Sequence, residues 1–168
     1  CTPFPRMWSS QGNHVSGYKS WTDFKGTPVR TTNMRGEAET IMKPTFGENM
    51  SYFFKYQIGH MFVRYFMWNF SGRQNDVQGH GSILKGNWIS GIPFIDNGRI
   101  GSQTHVSESW KNNKARNTFY MLPFLLGVIG LIFHIRKDTQ DAFVVGLLFF
   151  FTGLAIVIYL NQSPYQPR

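Results

Sequence analysis

The chain has 168 residues and a formal net charge of +8, with 42% hydrophobic and 17% aromatic residues. Sixteen Phe, seven Tyr and five Trp exclude intrinsic disorder, and a single cysteine excludes an internal disulfide framework. The charge is unevenly placed, which argues against one uniform globular domain: residues 1–117 hold fourteen Lys/Arg against seven Asp/Glu, whereas 142–160 hold no charge.

Residues 1–49 are rich in turn formers, from Pro3 and Pro5 through to Pro44 and Gly47. Short β-prone runs at 27–32 and 39–42 lie between them, and Gly36, flanked by Arg35 and Glu37, predicts a hairpin tip. This stretch reads as an irregular, partly β extramembrane region with little core of its own.

Residues 50–70 read as an amphipathic interfacial helix. Thirteen positions from 52 to 70 are apolar or aromatic, and Gln57, His60 and Arg64 recur at helical spacing. Crossing a bilayer would place Lys55, His60 and Arg64 in hydrocarbon, at about 2.5–3.5 kcal/mol for each central Lys or Arg. The basic residues of a helix lying in the interface either touch headgroups or, at Arg64 and His60, face a phosphate-bearing lipid substrate.

Residues 71–117 form a polar, glycine-rich loop region. Arg73 suits a phosphate or carboxylate, Asn75 and Gln78 suit sugar hydroxyls, Asp76 suits a base and His80 a proton carrier. The same residues equally fit a solvated loop that satisfies its own backbone. Asp76 and His80 at i, i+4 have no third ligand nearby in sequence, a weak signal that assigns no metal ligands and leaves a divalent-metal requirement open. Trp88 reads as an interfacial anchor or a sugar-stacking ring, and Asp96 as a turn residue. The stretch 108–116 reads as a positively charged collar.

Two apolar runs follow. In the 118–135 segment, 119–135 contains only His134 as an ionisable group, and 142–160 contains none near neutral pH. At 1.5 Å per residue the runs reach roughly 25 and 28 Å, close to the hydrocarbon thickness of a bilayer. The expected architecture is therefore a mainly α membrane protein with a two-helix transmembrane hairpin. Gly127, Gly130, Gly146 and Gly153 would offer flat faces for helix packing. The short link, with Arg136 and Lys137, favours a cytoplasmic turn and an extracytoplasmic 1–117.

The run Tyr56-Gln-Ile-Gly-His-Met-Phe-Val-Arg-Tyr-Phe-Met-Trp-Asn-Phe-Ser-Gly-Arg-Gln-Asn-Asp-Val-Gln-Gly-His-Gly81 resembles a signature of bacterial multi-pass membrane proteins grouped with the protein O-mannosyltransferases. Further likeness lies at Asn87-Trp-Ile-Ser-Gly91, Ala115-Arg-Asn-Thr-Phe-Tyr-Met-Leu-Pro123 and Tyr159-Leu-Asn-Gln-Ser-Pro-Tyr-Gln-Pro-Arg168. The resemblance implies a fragment of a larger GT-C type fold in a bacterial inner membrane. A polyprenyl-phosphate sugar is the implied donor substrate, and membrane lipid, an acceptor protein and the remaining transmembrane helices are the implied partners. On this reading Arg64 and Arg73 hold the donor phosphate, Asn75 and Asp76 act on sugar or acceptor, and Gln78, His80 and Trp88 add contacts. A non-enzymatic membrane-anchored module binding protein or anionic lipid is the alternative. Nucleic acid is not expected as a partner, given the extracytoplasmic placement.

Overall fold

The structure is a computed structural model, and it describes residues 7–9, 12–32, 35–77, 79, 81–104 and 106–159. The chain divides into two compact units, one of Cys1–Gly59 with Leu154–Arg168 and the other of His60–Gly153.

The first unit begins with helix α1 (Gly12–Trp21), followed by the antiparallel strands β1 (Thr27–Thr32) and β2 (Ala38–Lys43). The strands pair from Thr27↔Lys43 to Thr32↔Ala38, and Gly36, at φ +82°, lies in the connection. Helix α2 (Phe46–Tyr52) starts at a capping box in which the Thr45 hydroxyl accepts from the Glu48 N–H and the Glu48 carboxylate accepts from the Thr45 N–H. The other Glu48 oxygen accepts from Lys25 N–H (2.6 Å) and Gly26 N–H (3.0 Å), tying the start of the hairpin to α2. Backbone donation from Thr45, then Gly26 and Lys25, holds the Glu48 carboxyl down to a pKa of about 2.

Rings supply the packing of this unit. Tyr18 stacks on Tyr52 at 4.6 Å between centroids, Tyr52 on Tyr56 at 5.0 Å, and Trp8 packs on both Tyr18 and Phe24. Tyr18, Tyr52 and Tyr56 are buried, and burial raises the phenol pKa of Tyr18 and of Tyr52.

From α2 the chain runs on through a π-helical stretch (Phe53–Val63) into α3 (Arg64–Phe70). The wider π turns break the 3.6-residue spacing on which a single stripe of Gln57, His60 and Arg64 depends. The second unit continues with β3 (Gly72–Arg73), α4 (Pro93–Ile100), α5 (Glu108–Lys111), β4 (Asn117–Thr118), α6 (Leu122–Lys137) and the start of α7 (Thr139–Tyr159). Phe66 of α3 meets Phe124 of α6 and Phe149 of α7 edge to face. Gly153 admits the Phe62 ring, whose atoms lie 3.0 Å from where a Cβ would stand. Gly127, Gly130 and Gly146 meet nothing within 4 Å, so of the four glycines read as packing faces only Gly153 is used.

The two-helix membrane hairpin expected from 119–135 and 142–160 is not present. Among the described residues one helix is long and apolar enough to cross a membrane, over Thr139–Val157, and only 11% of that stretch is buried. The earlier apolar run is helical only from Leu122, and its sixteen-residue helix ends on Arg136 and Lys137. Two backbone amides explain the late start. Phe119 N–H donates to Ser71 O (2.9 Å) and Tyr120 N–H to Ser90 O (3.0 Å), so the first residues of the run are used as a strand edge. Tyr120 and Met121 then take positive φ, at 51° and 61°, and turn the chain into α6. A single residue, Asp138, separates α6 from α7, where a six-residue link was expected. The expected GT-C type bundle, with its interfacial helix and membrane hairpin, is replaced by a mainly helical chain with two small two-stranded sheets.

Candidate functional site

The polar loop region is organised on a small backbone platform inside the second unit. Strands β3 and β4 pair Gly72 with Thr118 and Arg73 with Asn117, while Arg73 also bridges to Trp88. Ile89 N–H donates to Gly72 O (3.0 Å) and Gln74 N–H to Asn87 O (2.9 Å), so the 71–74 segment is flanked on both edges. Gly72 lies at φ +138°, and a Cβ there would stand 2.5 Å from Asn117 O and 2.7 Å from Ile89 O. Glycine is required at this crowded, left-handed position.

Buried amides and one carboxylate hold the loops that leave the platform. Asn75 donates from Nδ2 to Leu84 O (2.9 Å), and its Oδ1 accepts from Gly86 N–H (2.9 Å) and Val77 N–H (3.2 Å). Gln74 donates to Ile83 O (2.9 Å) and to Gln103 Oε1 (3.2 Å), and accepts from the Asn87 side chain (2.9 Å). Asp96, on α4, accepts from Ser90 N–H and Oγ–H with Oδ1 and from Gly91 N–H with Oδ2. These bonds fix the 90–92 turn, in keeping with a turn role for Asp96.

Two basic residues of the helical stretch dock onto the same loop. Arg64 donates from Nε to His60 O (2.9 Å) and from a terminal nitrogen to Gly86 O (2.6 Å). His60 Nε2 lies 3.0 Å from Gly79 O, and because a carbonyl only accepts, that nitrogen carries the proton.

The sequence-predicted residues therefore fall into different settings. Arg64 and Asn75 bind backbone carbonyls. Arg73 places its guanidinium 4.4 Å above the Trp68 ring and reaches Asn69 Oδ1 at 3.3 Å. Arg73 Nε–H and Trp68 Nε1–H are both buried with no partner among the described residues. One face of Trp88 is covered by Arg99, 3.8 Å from the ring centroid, and Arg99 also donates to Trp88 O. Burial lowers the Arg99 pKa, opposed by the nearby Asp96 charge. Asp76 is exposed and accepts at Oδ1 from Asn113 Nδ2 (3.2 Å). Gln78 and His80 lie outside the described residues.

A cavity of about 220 Å³ lies beside the platform, with Ile89 and Pro93 as its apolar lining. Asn97, Gln103, Thr104 and Arg116 supply polar lining, together with Asp96. Sequence reading missed this grouping. Its signal is faint, because Arg116 sits among other cations in a stretch that looks like a solvated collar. Among the described residues no group of three or more His, Cys, Asp or Glu is placed to hold a metal ion.

A model for a family of unknown function (DUF8416) matches residues 1–54, about a third of the chain. That match lies within the first unit and ends before the long 56–81 run. No curated protein and no solved structure matches the chain.

Proposed function

We propose that the chain is the membrane-associated part of a glycosyltransferase that moves a mannose-like sugar from a polyprenyl-phosphate donor to protein hydroxyls. The carrying observation is the contrast between the two aspartates of the polar loop region. Asp96 is buried with both oxygens engaged, whereas Asp76 is exposed, with only Oδ1 bonded among the described residues. An accessible carboxylate steadied by one amide suits a general base for an acceptor hydroxyl. Arg73 lies three residues earlier in the chain, and its charge suits a departing phosphate. The resemblance over 56–81 supplies the reaction class. The Thr139–Val157 helix supports attachment to lipid. The proposed setting is a bacterial inner membrane, as part of a longer multi-pass protein, with 1–117 on the extracytoplasmic side where the resemblance places donor and acceptor.

The test is in vitro transfer by the full-length protein with labelled polyprenyl-phosphate sugars and acceptor peptides. Asp76→Asn should lower transfer by about 100-fold or more while leaving membrane insertion unchanged. An unaltered rate removes Asp76 from the chemistry, and a folded full-length protein inert with every donor overturns the transferase reading.

The engagement of Arg64, Gln74 and Asn75 with backbone carbonyls favours a second reading. In it, the chain is a non-enzymatic membrane-anchored module that binds protein or anionic lipid through its basic 1–117 region. Its mark is binding to anionic vesicles that weakens with salt and ignores the sugar.

A further inference from the structure

We propose that the cavity beside α4 is a binding site for a small oxyanion-bearing ligand, with Arg116 as its anchor and Asn97 as a second polar contact. Arg116 is half-buried on the cavity wall, and its side chain has no hydrogen bond or ion pair with any described residue. Its backbone N–H is occupied, donating to Asn113 O at 2.9 Å, which fixes the base of the side chain. Asp96 lines the same cavity but makes no ion pair with Arg116. Asp96 gives Oδ1 to Ser90 and Oδ2 to Gly91, and its charge also acts on Arg99. Arg99 is the guanidinium beside Asp96, and Arg116 adds a second cation with no ion-pair partner among the described residues.

The remaining lining completes the chemistry. Asn97, exposed at the rim of the cavity, has no side-chain hydrogen bond among the described residues, so its amide is available to a ligand there. Gln103 Nε2 makes only long bonds, 3.3 Å to Gly101 O and 3.5 Å to Ile100 O, and can be drawn to a better acceptor. Thr104 Oγ1 shares a proton with Ser102 Oγ at 2.7 Å and leaves a lone pair or proton for a ligand hydroxyl. Ile89 and Pro93 add apolar lining. A guanidinium fork with amide donors matches the paired oxygens of a phosphate or carboxylate. The volume, about 220 Å³, suits a ligand smaller than a drug-sized molecule, such as a phosphate carrying one sugar ring or a lipid headgroup without its chains. The site is independent of Asp76 and of the transferase reading.

Binding is measured by calorimetry on the full chain in uncharged detergent, with inorganic phosphate, glucose 1-phosphate and, separately, phosphatidylglycerol vesicles against phosphatidylcholine vesicles. The wild type should bind at least one phosphate probe saturably. Arg116→Gln should weaken that binding tenfold or more, and Asn97→Leu by a smaller factor. Arg116→Lys keeps the charge, removes the fork and should fall between wild type and Arg116→Gln. Arg30→Gln, on exposed β1, should leave binding of the soluble probes unchanged and controls for loss of net charge. Binding of the soluble probes assigns a free phosphate, and binding of phosphatidylglycerol vesicles alone assigns a headgroup. Either supports the site if it depends on Arg116. Absence of binding by every probe, or equal binding in Arg116→Gln and Arg30→Gln, overturns it. A thermal melt of each variant identifies any that fail to fold, and Arg116→Lys then carries the comparison.

Discussion

In the first unit, Tyr18, Tyr52 and Tyr56 lie ring on ring at 4.6 and 5.0 Å, and the hairpin is attached through one carboxylate. In the second, the most fully buried side chains are Ile89, Asn75, Ser71 and Ser90, three of them polar. The contrast shows two ways of ordering turn-rich chain. Stacked rings gain from area and tolerate small chemical change, because their attraction is spread over many atoms. A buried amide network concentrates its energy in a few directional bonds, and removing one member strands the others without water.

Substitutions that separate the two modes test this contrast. The largest effect is expected at Asn75→Ala, which strands Leu84 O, Gly86 N–H and Val77 N–H and should destabilise the second unit by about 3 kcal/mol. Near-UV circular dichroism melts and protease sensitivity of the 75–87 segment measure it. A loss below about 1 kcal/mol would show that the loop does not depend on its buried amide. At Tyr52→Phe the ring is kept, and the Tyr52 hydroxyl has no hydrogen-bond partner among the described residues. The melting midpoint should then move by less than about 1 kcal/mol equivalent. A larger drop would mean that the ring stack relies on a polar contact after all.

The most graded effect is a pH dependence set by Glu48. Its folded pKa, about 2, lies below the ordinary carboxyl value, so the folded state favours the ionised form. Its contribution is fully present above the unfolded pKa, about 4.3, and is lost as pH falls from there towards 2. Melts between pH 6 and 2 should show this loss in the wild type. Glu48→Gln should flatten the acid limb and leave the neutral-pH ring packing intact, and an unchanged acid limb would remove Glu48 as its cause. The opposite limb belongs to Tyr18 and Tyr52, whose raised pKa values predict lost stability as pH rises above about 10.

Much of the local structure was legible from residue order alone. A glycine between two β-prone runs marks a hairpin, and β1 and β2 pair around Gly36. The uncharged stretch after residue 141 marks a long apolar helix, and α7 is that helix. Both signals are local, because turn chemistry and apolar length reside in consecutive residues. The 119–135 run carries an equally apolar signal, yet its first residues are claimed by carbonyls of Ser71 and Ser90, far back in the chain. No periodicity within the run reports those distant acceptors. The polar candidates have the same limitation. Arg64, Asn75 and Asp96 looked alike as ligand-binding or turn residues, and their partners at Gly86, Leu84 and Ser90 were settled by the fold. The sequence by itself therefore determined the β-hairpin around Gly36 and one membrane-length segment, because these depend on neighbouring residues, whereas the helices α1, α4 and α5 were not read from it. Only the tertiary structure decided which polar groups are engaged and which, like Arg116, face a cavity, because hydrogen bonds between remote segments depend on where the backbone returns.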